Sequence, residues 1–222
     1  RNWPRGRKSY GCMLRLHLRK SCSLPHLPRG VPAELSAPER PAALSEPRFV
    51  TETMDVTQGK LAMGFRCATD DIPAMILANL LFGGTSNSKL FMNVREKLSL
   101  CYYASSLYAR SKGILTVSSG IETKDYDRAL AEILHQLEAV QRGEWEDWEL
   151  AAARSAMRAS LQSLGDSQGA MENYYLGQAA TGQDESPEEL LVLLSEVTPE
   201  RIRAAAQSVK LDTVYFLKGR EN

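Results

Sequence analysis

The stretch FGGTSNSKLFMNVREKLSLCYYASS, residues 82–106, decides how this chain is read. It joins a glycine pair, a polar Ser/Asn/Ser cluster ending at Lys89, and then Arg95, with Tyr102 seven residues later. A phosphate-binding loop needs G-x-x-x-x-G-K-[ST] between a strand and a helix. Counted from Gly83 the sixth place is Ser88, followed by Lys89 and Leu90, so a required glycine and the metal-binding hydroxyl are both missing. The preceding segment DDIPAMILANLLFGG reads as a deeply packed helix, with Asp caps, Pro73 in its first turn and apolar residues almost all round. Gly83 is expected to end that helix in a left-handed conformation and Gly84 to allow a sharp turn. Ser86 or Asn87 should cap a second short helix from about Ser88, with Leu90, Phe91, Val94 and Leu98 as its buried stripe. A plain helix-to-helix turn accounts for the glycines and serines. It leaves Arg95 and Tyr102 unexplained, and a guanidinium fork beside a phenol suits a peptide carbonyl or a developing oxyanion.

Outward from this stretch the pattern is regular. KLAMGFRC, residues 60–67, alternates, with Leu61, Met63 and Phe65 on one face, as a half-buried strand does. CYYASSLYA and GILTVSSGI are β-rich runs joined by RSKG, which is a hairpin signal. Residues 125–141 carry Ala129, Leu130, Ile133, Leu134, Leu137 and Val140 on one helical face, and His135 on the solvent side. EWEDWELAAARSAMRASLQSL opens with acids that suit a helix start, so its carboxylates read as helix-starting charge rather than an acid/base pair. SQGAMENYYLGQAATG is a further helix ended by Gly182, and TPERIRAAAQSV is one capped by Thr198 with Pro199 first. TVYFLK closes as a strand. The order predicts an α+β fold, a mainly antiparallel sheet with helices packed on one face, as a single domain over residues 48–222.

Composition narrows the function classes. The net charge of zero hides a split: residues 1–48 hold ten Lys/Arg against three Asp/Glu and seven of ten prolines, leaving 17 basic and 24 acidic side chains beyond, a net of −7. That acidic body argues against nucleic-acid binding. No apolar run is long enough to span a membrane. Residues 1–47 are expected to be a disordered, basic, Pro-rich leader: Arg-rich and acid-poor like a transit peptide, but too rich in Pro and Gly for an amphipathic helix. Within it Cys12, His17, Cys22 and His26 have the ligand types of a small zinc site. With no strand or helix pattern to hold them, a bland tail is expected instead. Cys67 and Cys101 sit in apolar surroundings and read as buried thiols of a cytoplasmic protein.

LLFGGTSNSKLFMNVREKLSLCYYASS resembles the C-terminal repeat of insulinase-type (pitrilysin-like, inverted) zinc peptidases and mitochondrial processing peptidase. The resemblance continues through KGILTVSSGIETKDYDRALAEILHQLEAVQRGEWEDWELAAAR to VTPERIRAAAQSV, about residues 50–218. It departs at LSLCYY, where Ser99 and Cys101 stand in place of the usual Gly and Ala. The resemblance implies that Arg95 and Tyr102 face the zinc site of an N-terminal repeat, holding the substrate carbonyl, with Gly83, Gly84 and Ser88 on the substrate-binding side. Zinc itself needs H-x-x-E-H, which none of His17, His26 and His135 begins. This chain is therefore expected to carry no metal or other cofactor and to be inactive alone, with zinc in a partner. It is either the C-terminal part of a longer chain or a zinc-less subunit. DVTQGKLAMGFR and REKLSLCYYASS are most similar to the bacterial zinc-less subgroup associated with aminopentanol modification of elongation factor P, favouring a subunit of a heterodimer acting on peptides. An inert scaffold of the same fold is the alternative.

Overall fold

The alternation read at residues 60–67 belongs to the central strand of a five-stranded sheet. In a computed structural model, which describes residues 42, 44–181 and 183–219, strands β1 (Arg48–Met54), β2 (Gly59–Cys67), β3 (Cys101–Ala109), β4 (Ile114–Ile121) and β5 (Val209–Gly219) lie in the order β1-β5-β2-β4-β3. The pairings of β2 with β4 and β5, and of β3 with β4, are antiparallel, and only β1 with β5 is parallel. The described residues lie within one unit, residues 37–222. Most of the segment expected to be a leader, with Cys12, His17, Cys22 and His26, lies outside the described residues.

Leu61, Met63, Phe65 and Cys67 point into the core while Lys60 and Ala62 face out. Leu115, Val117, Val214 and Phe216 extend that buried face across the neighbouring strands. Helices cover this one side: α1 (Ile72–Asn79), α2 (Tyr126–Arg142), α3 (Asp147–Ser163), α4 (Gln168–Thr181), α5 (Pro187–Ser195) and α6 (Pro199–Gln207). α2 buries Ala129, Ile133, Leu137 and Val140, and leaves His135 exposed. Its C-terminus stops at Gly143, whose φ of 82° is the left-handed conformation that caps a helix at small cost only for glycine. Removing large side chains of this kind from water supplies roughly 1.5–3 kcal/mol each, the main force joining helices to sheet.

The two glycines of the opening stretch differ from expectation. α1 does not end at a left-handed Gly83; among the described residues only Gly113 and Gly143 are glycines with positive φ. Instead the chain runs on as a wide π-turn over Leu80–Gly84 and stops at extended Thr85. Glycine is required at 83 for close approach: a Cβ there would lie 2.7 Å from both Leu90 Cδ1 and Ser106 Oγ. The next helical segment is a π-helix over Leu90–Lys97 whose N-cap, Lys89, makes no side-chain capping bond; the side-chain bonds at its start come from Ser88, one residue beyond the predicted caps. Ser88 Oγ donates to the Thr85 carbonyl at 2.6 Å and accepts from the Phe91 N–H at 3.5 Å.

Candidate functional site: a cleft at the start of β3

Arg95 is carried on the last turn of the π-helix. Its guanidinium lies over the Phe91 ring, 4.6 Å from the centroid, and 3.5 Å from the Glu96 carboxylate. Stacking of this kind holds the planar group at a fixed tilt and is worth about 0.5–1 kcal/mol at an exposed site. The helix then turns into β3 through Leu98, Ser99 and Leu100. Ser99 N–H donates to the Arg95 carbonyl at 3.1 Å and Leu100 N–H to the Val94 carbonyl at 3.0 Å, while the Leu100 side chain is buried. This capping turn needs a left-handed residue, and Ser99 supplies it with φ of 50°, a conformation costing a side-chain-bearing residue about 1–2 kcal/mol. A glycine, which the insulinase-type resemblance leads one to expect at this place, would avoid that strain.

Tyr102 is delivered by a different device. The ladder between β3 and β4 pairs Cys101 with Ile121 and Tyr103 with Gly120, so Tyr102 is an extra residue in a β-bulge. Bulges break the alternation of side chains and re-aim one of them. Here Tyr102 and Tyr103 are successive and both exposed, Tyr102 at 58%. Its hydroxyl donates to Glu122 Oε1 at 3.5 Å. Arg95, Tyr102, Glu96, Ser99, Leu100, Cys101, Glu122 and Asp125 line one open cleft of about 440 Å³, within the range of ligand pockets.

The acids of this cleft were not singled out from the sequence. Glu122 and Asp125 enter because β4 ends at Ile121 and the chain turns through a short 3-10 segment, Thr123–Asp125. Only the strand register, which places Ile121 opposite Cys101, could have announced them. Lys124 Nζ lies 2.6 Å from Glu122 Oε2, and that hydrogen bond, followed by the Lys124 charge, holds Glu122 below the usual carboxylate range. Burial pushes the Cys101 thiol up, against a hydrogen bond with Ser119 and the charge of Arg95. Cys101, half-buried rather than buried as expected, is thus a protonated thiol at neutral pH and a weak nucleophile. The donors of the cleft are the guanidinium and the phenol.

Gly83, Gly84 and Ser88 do not line this cleft. Gly83 is buried, and Ser88 is 1% exposed with its hydroxyl engaged; of the three only Gly84 presents surface. Lys89, beside them, is spent on structure, with Nζ 3.0 Å from Glu149 Oε1 and both side chains nearly buried. Glu149 Oε2 also accepts the Glu146 N–H at 2.7 Å, so one carboxylate closes the start of α3 and pins the start of the π-helix.

The family of peptidase M16 inactive domains matches residues 23–157 of this chain. The chain belongs to that family. The match begins inside the segment read as a leader. Over 182 residues the chain is 42% identical to the probable inactive metalloprotease YmfF of Bacillus subtilis (strain 168), covering 79% of this chain and 42% of that protein. It is 26% identical over 176 residues to the uncharacterized zinc protease YmxG of the same organism, covering 75% of this chain and 43% of that protein. Among solved structures, a conserved protein from Enterococcus faecalis V583 superposes with a TM-score of 0.76 at 30% identity, covering 82% of this chain and 44% of that one. A peptidase M16 inactive domain from Pseudomonas fluorescens gives 0.67 at 17% identity, over 84% of this chain and 47% of that one. The chain thus spans less than half the length of these relatives. The α+β fold expected from the sequence and its insulinase-type resemblance are both upheld.

M16 proteases that use zinc need a set of nitrogen and oxygen ligands, and the described residues do not supply one. No group of three or more His, Cys, Asp or Glu among them could hold a metal ion. His135 lies on the outer face of α2, 3.5 Å from Glu132 and 60% exposed. No helix among the described residues is long and apolar enough to cross a membrane.

Proposed function

We propose that this inactive domain is the non-zinc half of an insulinase-like metallopeptidase. It holds an extended peptide and polarises the scissile carbonyl through Arg95 and Tyr102, opposite a zinc site carried by a partner subunit or repeat. The observation that carries the reading is the bulge in β3, which turns Tyr102 into the cleft that Arg95 also lines. A strand bulged in this way loses a ladder position, which a purely structural role does not require. Two donors lining one cleft suit an oxygen that gains negative charge as a peptide bond is attacked. β3 is the last strand of the sheet, and its outer edge offers a peptide backbone groups to pair with beside the cleft. Gly83, Gly84 and Ser88 serve by shaping the turn that brings the Arg95 helix against this strand. We place the assembly in the cytoplasm as a heterodimer, on the reading of Cys67 and Cys101 as reduced thiols.

A second reading is an inert scaffold, favoured by a specific observation: the relative sharing 42% identity is named as probably inactive. The two readings separate on purification of the protein from its native cells, with mass identification of what accompanies it and a fluorogenic peptide assay of complex and chain. The proposal expects a zinc-bearing homologue to co-purify, chelator-sensitive cleavage by the complex, and none by the chain alone. Stoichiometric zinc on the chain, or chelator-sensitive turnover by it, would overturn the proposal; a complex that never cleaves peptides favours the scaffold.

A further inference from the structure

We propose that Glu122, steadied by Lys124, is a positioning residue that sets the direction of the Tyr102 phenol; this rests on the reading that Tyr102 donates to a peptide carbonyl. The bulge that brings Tyr102 to the cleft also deprives it of a cross-strand partner. At 58% exposure its ring has little packing to select one rotamer. A donor that must be searched for among staggered positions is not preorganised, and preorganisation is where such donors gain their effect.

Glu122 supplies the missing constraint. Its backbone carbonyl accepts the Asp125 N–H at 3.0 Å, which closes the turn after β4 and fixes where the side chain starts. Of its two carboxylate oxygens, Oε2 is taken by Lys124 Nζ at 2.6 Å, leaving Oε1 facing the phenol at 3.5 Å. The Glu122 side chain makes no capping bond to the turn that follows it, so the turn does not call for a carboxylate. The length of the phenol contact matters as well. Hydroxyl hydrogen bonds are usually 2.7–2.8 Å, so one of 3.5 Å is weak. A phenol has one proton to give. Held weakly at Glu122, it is kept at the cleft wall yet exchanges readily to an incoming carbonyl oxygen. A short bond would sequester it.

The test has one arm on the chain alone and one on the assembled pair. With 3-fluorotyrosine incorporated, the 19F resonance of Tyr102 is assigned by its loss in Tyr102→Phe. Glu122→Ala should move that resonance, Lys124→Ala should move it in the same direction by less, and Glu138→Gln, on the exposed side of α2, should leave it in place. A Tyr102 resonance unchanged by Glu122→Ala overturns the proposal. In the pair, Glu122→Ala should lower kcat about 2–3-fold, the low end of what one hydrogen bond contributes, as a long contact implies, with partner affinity unchanged. It should cost nothing further in a Tyr102→Phe background, because the group it positions is gone. Full additivity of the two substitutions overturns the proposal and makes Glu122 a surface ion-pair residue. A moved resonance together with a Tyr102→Phe variant of normal turnover upholds Glu122 as the holder of the phenol and refutes the carbonyl role instead.

Discussion

Replacing Lys89 with methionine should destabilise the domain by about 2–3 kcal/mol, although Lys89 stands where a phosphate-binding loop would carry its lysine. Lys89 Nζ stands 3.0 Å from Glu149 Oε1, and the two side chains are 13% and 10% exposed. Removing one member of a well-buried pair costs about 3–5 kcal/mol, because the other charge is stranded away from water. Two features here lower that figure. The Glu149 carboxylate keeps the Glu146 N–H at 2.7 Å, and it sits in the first turn of α3, where the helix dipole favours negative charge. Methionine also fills most of the lysine stem, so no large cavity opens. For a chain of this length the loss corresponds to about 4–12 °C in Tm. Urea unfolding should show a lower midpoint at unchanged slope, which separates a stability effect from a change in the unfolded state. Adding Glu149→Met should cost less than the sum of the single changes, since the stranded carboxylate disappears. A Lys89→Met variant within about 0.5 kcal/mol of the parent would refute the buried-pair reasoning.

Ser99→Gly should stabilise the domain by about 0.5–1 kcal/mol, the relief of left-handed strain less the extra entropy of an unfolded glycine; thermal unfolding that shows a loss would mean the turn is not strained. Gly83→Ala should cost about 1–3 kcal/mol by overpacking, since the new methyl would meet Leu90 Cδ1 and Ser106 Oγ at 2.7 Å; a neutral result in urea unfolding would contradict the close approach. Asp71 holds the start of α1 to α6 through two hydrogen bonds from Arg201, at 2.8 and 2.9 Å. The Arg201 hydrogen bond in particular keeps its carboxyl below the ordinary value of 3.8. Its contribution is therefore present above that value and lost as pH falls through the lowered one. With Arg201 44% exposed, Asp71→Asn should cost only about 0.5–1 kcal/mol at neutral pH, and the difference from the parent should begin to shrink only as pH drops below the ordinary value of 3.8 and vanish once pH has fallen through the lowered one. An unfolding series against pH in which the difference grows towards acid would reverse the assignment.

Much of the fold was legible because its signals were local and periodic. The alternation of residues 60–67, the RSKG hairpin and the Thr198–Pro199 helix start each reappear in the structure. β1 was missed because it is an edge strand: only Val50 in RFVTETM is even partly buried, so no alternation marks it. α5 was missed although its signal was present. Ser186 and Glu189 form a reciprocal capping box at its start, and the apolar run behind them hides a helical period because Val192 and Leu193 are exposed. The two π-turns lie outside the 3.6-residue pattern by which helices are recognised, which is why the expected stripe misplaced Leu98, exposed at 39%. Arg95 and Tyr102 could be named from residue type and resemblance. The bulge that turns Tyr102 outward, and the arrival of Glu122 beside it, depend on register between distant strands, which no local pattern carries. Ser99 lay between these cases: its place in a glycine position was visible in the sequence, and the structure gives the cause in its φ of 50°.

The most direct test of the account compares turnover with partner affinity for Tyr102→Phe in the assembled peptidase. The substitution removes one hydroxyl from a side chain that is 58% exposed, so folding and assembly should be unchanged. If the phenol stabilises charge on the scissile carbonyl, peptide turnover should fall about 10²–10³-fold, the usual effect of one oxyanion donor, while partner affinity stays at the parent value. Arg95→Ala should lose turnover on a similar scale, with some stability as well, because its guanidinium stacks over Phe91. Turnover of Tyr102→Phe equal to that of the parent, in a pair of normal affinity, would contradict the account and leave an M16 inactive domain that serves as scaffold.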